Sequence, residues 1–296
     1  MFGDHLGEIC ALSAPLAWSV ALILYKRTDA PAVSMNLFKN SVGLAMLALT
    51  ALILGAWPPL DRSTADWARL AFSGLLGLAV ADTLLFEGLR RVGAARVAIV
   101  DTVYAPVVVL LSWAILGERP SLWFAAGAAA VVGGLGLATI NRDAVRTEAG
   151  GQVWLGMGCV AAAVSCTAVG VIVAKPILEH SHLVEVTATR LAAGLIGQLV
   201  AIAALGGWRD ASVCFRPGPT WKTMLPGAMI GTYLSLMLWL GGFKWGNAST
   251  AAVLNQMATV YILAQARFIL GESLTRRQIA GAAMAAAGAV WIVATK

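Results

Sequence analysis

The chain has 296 residues, 59% hydrophobic and only 12% charged, with 21 Lys and Arg against 15 Asp and Glu for a net charge of +6. Soluble domains carry about 25% charged residues, so a water-soluble globule is excluded and lipid is expected to bathe much of the surface. The basic residues sit in twos and threes at the ends of apolar runs, as membrane loop charges do. They form no patch or stripe, which sets aside a nucleic-acid reader.

At about 20 apolar residues per crossing, ten segments are predicted, over residues 5–25, 34–56, 68–88, 94–116, 121–140, 153–174, 184–205, 222–242, 248–270 and 277–295. Backbone amides find no water partners in a bilayer, and the runs do not alternate with period two, so the fold class is all-α integral membrane. The first run starts beside Asp4, His5 and Glu8 rather than a basic stretch, and it is read as a span, not a cleaved leader. It carries Pro15, which removes a backbone hydrogen bond and predicts a kink, and Trp18, a ring for a cavity or for packing.

An ionisable group inside a span costs roughly 2.5–3.5 kcal/mol on insertion scales and needs a cavity or a partner. In the second segment this applies to Lys39, which either snorkels to the headgroups or pairs with a gate acid or a substrate carboxylate. In the third, Asp82 lies deep in an apolar run, as a substrate-cation or proton site or as half of a structural ion pair. Glu87 is read as a solvated boundary residue. In the fourth, Asp101 and Tyr104 are three residues apart and share a helical face, and Pro106 predicts a second kink. The fifth segment has a ladder of small residues, Ala126, Ala130, Gly134 and Ala138, which lets helix backbones approach closely.

The connection 141–152 divides the chain almost in half, and 206–221 is the other long loop. Arg190 in the seventh segment sits at the depth Lys39 has in the second and carries the same two readings. Tyr233 and Trp239 in the eighth are candidate ring contacts for an aromatic or cationic ligand. Asn255, Gln256 and Thr259 form the densest polar cluster of any span, either a site or interhelix hydrogen-bond glue. Arg267 is read as snorkelling. Thr275 and Gln278 have the form of a capping box opening the tenth segment, which repeats the small ladder as Gly281, Ala285 and Ala289. The four cysteines, Cys10, Cys159, Cys166 and Cys214, have no metal-ligand spacing and are read as apolar filler. No metal or cofactor motif and no hydrolase or phosphate-loop signature occurs, so an enzyme is not expected.

Sliding the second half back by 154 residues places Gly77, Leu84, Gly88, Leu116, Gly117, Glu118 and Gly134 on Gly231, Leu238, Gly242, Leu270, Gly271, Glu272 and Gly288; an offset of 151 places Lys39 on Arg190. Two units are therefore expected, residues 1–145 and 146–296. Five helices per unit is odd, so the second enters the membrane in the opposite sense, an inverted repeat of the kind that frames a midplane site in secondary transporters.

The five-plus-five layout and the matched corners Leu116-Gly117-Glu118 and Leu270-Gly271-Glu272, each followed by a hydroxyl residue, Ser121 or Thr275, resemble the EamA-type branch of the drug/metabolite transporter superfamily across nearly the whole chain. The resemblance implies a monomeric carrier in the plasma (inner) membrane that exports a small organic metabolite such as an amino acid, an amine or a drug. Its cavity would be lined by helices 1, 3, 4, 6, 8 and 9. Without ATP-binding motifs, proton coupling or exchange is the natural energy source, with Asp82 or Asp101 as proton carrier. The competing class is a non-transporting membrane receptor or scaffold whose polar residues are buried in pairs. Orientation is pulled both ways: 12 Lys and Arg on the side opposite the termini against six on the terminal side argue for termini outside, and the resemblance for termini inside.

Overall fold

The computed structural model describes residues 5–28, 30–59, 61–139, 151–268 and 274–295, and all regular structure among them is helical. In the first half these are α1 (Leu6–Lys26), α2 (Ala32–Leu54), α3 (Thr64–Gly74), α4 (Ala81–Asp101), α5 (Tyr104–Leu111) and α6 (Leu122–Thr139). In the second they are α7 (Gly151–His180), α8 (Leu183–Leu205), the single turn α9 (Trp208–Ala211), α10 (Trp221–Ala228), α11 (Ser235–Trp245), α12 (Ala248–Asn255), α13 (Ala258–Phe268) and α14 (Arg276–Ala294). Nine described helical stretches are long and apolar enough to cross a membrane. The segment expected at 248–270 is not one of them. A turn at Gln256–Met257 divides it into α12 and α13, and its far end, with Leu270, Gly271 and Glu272, lies outside the described residues.

Local sequence sets the helix ends. Ser63 caps α3 by accepting from Asp66 N, and Thr275 and Gln278 form the expected reciprocal capping box at the start of α14. Gly55 and Gly206, 151 residues apart, end α2 and α8 with φ of 62° and 71°, a left-handed turn that glycine makes at no steric cost. One expected connection is absent: residues 88–94 are helical, part of α4. Glu87 and Arg91, paired at 2.5 Å one turn apart, support the helix there. The corresponding place in the second half is open, with Gly246 extended (φ −129°, ψ 170°) between α11 and α12.

The 154-residue repeat reaches into backbone irregularities that no hydropathy profile reveals. Both halves carry a six-residue π-helical stretch, Leu75–Val80 and Met229–Leu234, at equivalent positions. Both break a helix at equivalent positions as well. Thr102 and Val103 N–H turn back to Ile99 and Val100 O, and Gln256 and Met257 N–H to Val253 and Leu254 O.

Packing shows that equivalent helices run antiparallel. A Cβ on Gly134 of α6 would meet Ala285 N and Gly281 O of α14 at 2.6 Å, and one on Gly127 would meet Ile292 at 2.6 Å. Thus the two small-residue ladders face each other head to tail. The contacts of α1 with the α10–α11 run, Gly7 on Gly246, Ala11 on Gly242 and Ala21 on Gly231, are echoed by those of α7 with the α3–α4 run, Gly156 on Val92, Val160 on Gly88 and Gly170 on Gly77. Outward faces carry exposed Leu52, Ile53, Ile196, Val200 and Val290, as a lipid-facing surface requires.

Candidate functional site

Between the halves lies a cavity of about 290 Å³, at the small end of the range for ligand pockets. Its walls come from α1, α2, α4, α5, α7, α8, α11, α12 and α13 and from the two π-helical stretches. The ladder helices α6 and α14 take no part in it. The backbone irregularities supply part of this lining, and its polar residues come chiefly from the helix breaks. The π-stretches present Gly77, Leu78, Gly231 and Thr232, and the two helix breaks present Asp101, Tyr104, Asn255 and Gln256. Gln256 Nε2 donates to Asp101 O at 2.9 Å, so the two breaks are tied together across the halves. Irregular backbone at membrane depth is tolerated where it lines such a cavity.

Nine of the eleven residues nominated from the sequence line it: Trp18, Lys39, Asp82, Asp101, Tyr104, Arg190, Trp239, Asn255 and Gln256. Tyr233 does not. Its hydroxyl lies 2.8 Å from Thr50 Oγ1 on α2 and its ring packs on the Leu47–Leu191 cluster. Thr259 is also outside the lining, because the turn at Gln256–Met257 breaks the four-residue phase that would have aligned it with Asn255. The snorkelling readings of the two deep cations give way to burial. Lys39 is 9% exposed, with Nζ 3.0 Å from Asn40 Oδ1 and 3.5 Å from Asp82 Oδ2. Arg190 is 2% exposed; its Nε donates to Ser73 Oγ at 2.8 Å and its guanidinium lies 5.6 Å from the centre of the Trp239 ring. Arg267 is exposed at the end of α13.

Sequence reasoning missed the contribution of the second helix of each half beyond its cation. Asn40 lines the cavity and donates to Gln198 Oε1 at 3.2 Å, and Gln198 Nε2 donates to Leu78 O at 3.2 Å, stitching α2 and α8 to the first π-stretch. The Asn36-Asn40 pair, one turn apart and flanking Lys39, was the available signal. Ser73, which holds Arg190 and also donates to Gly170 O, had none.

At the end of the bundle that carries Leu6 and Ala294, polar contacts close the structure. Glu118, one of the matched corner residues, reaches across the halves: Oε1 accepts from Ala248 N at 2.6 Å and Oε2 from Ser249 N at 3.0 Å and Ser249 Oγ at 2.6 Å, capping α12. Arg62 pairs with Glu185 and donates to Ser181 Oγ at 3.0 Å, again from one half to the other. Lys175 and Lys244 donate to the carbonyls of Phe243, Gly246, Leu178, Glu179 and Ser181, filling acceptors that helix ends leave open.

The sequence profile of the EamA-like transporter family matches this chain twice, over residues 5–140 and 154–294. The chain belongs to that family. The double match falls on the two halves that the packing relates, and with the apolar helices it makes this EamA-like protein a multi-pass membrane protein. A crystal structure superposes with a TM-score of 0.81 over 98% of this chain and 96% of its own, at 18% identity, which speaks to the fold. No curated protein sequence matches.

Proposed function

We propose that this EamA-like protein is a secondary active transporter, an exporter of a small organic metabolite such as an amino acid, an amine or a drug. It works by alternating access between two inverted five-helix halves, ten spans in all. The observation that carries the reading is the cavity between the halves, where two helix breaks at equivalent positions bring Asp101, Tyr104, Asn255 and Gln256 to a shared wall. A scaffold would bury such groups in pairs. Here Asp82 is taken up by Lys39, whereas Asp101, Asn255 and Gln256 border open space, Asn255 and Gln256 each donating once to a backbone carbonyl and none of the three paired with another side chain among the described residues. The closed contacts at the end bearing Leu6 suit a cavity served from the opposite end in this conformation.

The setting is the plasma (inner) membrane and the working unit a monomer, and uphill export draws on protons or exchange, with Asp82 or Asp101 as the proton-handling group. The test is uptake by inverted membrane vesicles of labelled amino acids, amines and cationic dyes, with and without an imposed proton gradient. Gradient-dependent accumulation of one class is the expected result. Silence across the panel, with folded protein of known orientation in the vesicles, would move the weight to the scaffold.

A further inference from the structure

The two deep cations are related by the repeat but differ in what faces them. In the first half Lys39 has a counterion, Asp82, at 3.5 Å. The residue 154 positions after Asp82, and so the one that should face Arg190, is Leu236, and both Leu236 and Arg190 line the cavity. Among the described residues no carboxylate lies within ion-pair distance of Arg190. Its Nη1 is buried without a hydrogen-bond partner, and its neighbours include the Ser73 hydroxyl, the Trp239 ring and Tyr104, whose hydroxyl is likewise buried and unpartnered but carries no counter-charge. A guanidinium desolvated to this degree is costly unless an anion meets it, and its fork of donors fits a carboxylate in bidentate fashion.

We infer that Arg190 is the receptor for a carboxylate on the transported molecule, the ligand supplying the anion that Asp82 supplies to Lys39 in the other half. This rests on the transporter reading and narrows it, from amines and acids alike to small carboxylates. Trp239, already stacked on the guanidinium, is placed to cover the apolar part of such a ligand, and a volume of about 290 Å³ limits it to a molecule of metabolite size.

The test is thermal unfolding of the purified full chain in detergent at constant ionic strength, with benzoate and phenylalanine each set against its amide, a change of charge at nearly constant shape. The acids are expected to raise the unfolding temperature by about 2 °C or more at saturation, and the amides not to. Leu236→Asp, which rebuilds the missing counterion, is expected to raise the unliganded unfolding temperature and abolish the response to acids. Arg190→Gln is expected to weaken acid binding at least about tenfold, and it serves as the second variant should Leu236→Asp fail to fold. Equal shifts with acid and amide, no shift with either, or an acid response that persists in the variants overturns the inference. Flux in proteoliposomes separates the two claims: acid binding without transport would end the transporter reading and leave the anion site standing, whereas amide flux as fast as acid flux would do the reverse.

Discussion

Lys39 and Asp82 meet on the cavity wall with 11% and 22% of their side chains accessible, a setting between a surface pair worth little and a buried pair whose rupture costs about 3–5 kcal/mol. Removing one member leaves the other largely desolvated and without its counter-charge. Asp82→Asn is therefore expected to destabilise the protein by about 2 kcal/mol, and the double variant Asp82→Asn with Lys39→Gln to regain part of the loss, because the orphaned ammonium is gone. Unfolding in a denaturant series on the two singles and the double checks this; additive losses would mean that the two side chains do not act as a pair. The sequence marked both residues by the cost of placing charge in a span, but it could not match them, since they lie 43 positions apart on helices whose contact depends on the fold. Arg190 and Ser73, 117 positions apart, were hidden for the same reason.

Among the elements, α6 and α14 owe their association to what their facing residues lack. With Gly134 and Gly281 at the seam, backbone meets backbone, and a methyl on Gly134 would sit 2.6 Å from Ala285 N, closer than packing allows. Gly134→Ala is expected to cost about 1–3 kcal/mol. Gly158→Ala, on an exposed face of α7 with nothing within 4 Å of the added carbon, is expected to be neutral or stabilising by up to about 1 kcal/mol. Comparing the two unfolding curves is the check, and equal behaviour would refute the packing account. The packing face of each helix was legible beforehand, because small residues at spacing four report a helix face directly, but that the two faces meet each other was not. Nor were the helix breaks. Pro106 suggested a kink in the first half, yet it sits in the first turn of α5, where its missing N–H is no loss, and the second half breaks at the same place with Val260 in the proline's position. The π-stretches and the turn at Gln256–Met257 carry no local signal of their own: neither a proline nor a positive-φ glycine marks them. They leave no pattern in hydropathy, which is why Thr259 was assigned to a face it does not share.

For the whole molecule, the decisive property is that equivalent helices run antiparallel, so equivalent positions of the two halves lie at opposite ends of the bundle. Arg62 with Glu185 and Glu118 with the start of α12 hold the end bearing Leu6. With Arg62→Cys and Glu185→Cys placed in a background lacking the four native cysteines, a short thiol-specific cross-linker is expected to abolish flux and leave ligand binding within about twofold of the uncross-linked protein. Loss of binding together with flux would mean that the cavity is filled from the sealed end. Undiminished flux would mean that this end does not open during the cycle.

The seam of α6 and α14 has a mechanical consequence. It lies apart from the cavity, and its interlocked backbones resist sliding, since any shift along it would drive Gly127, Gly134 and Gly281 against bulkier neighbours. In the proposed alternating-access cycle, the halves would then turn about that line rather than slide along it. The two ladders would be the axle of that motion, and the cavity walls the swinging parts.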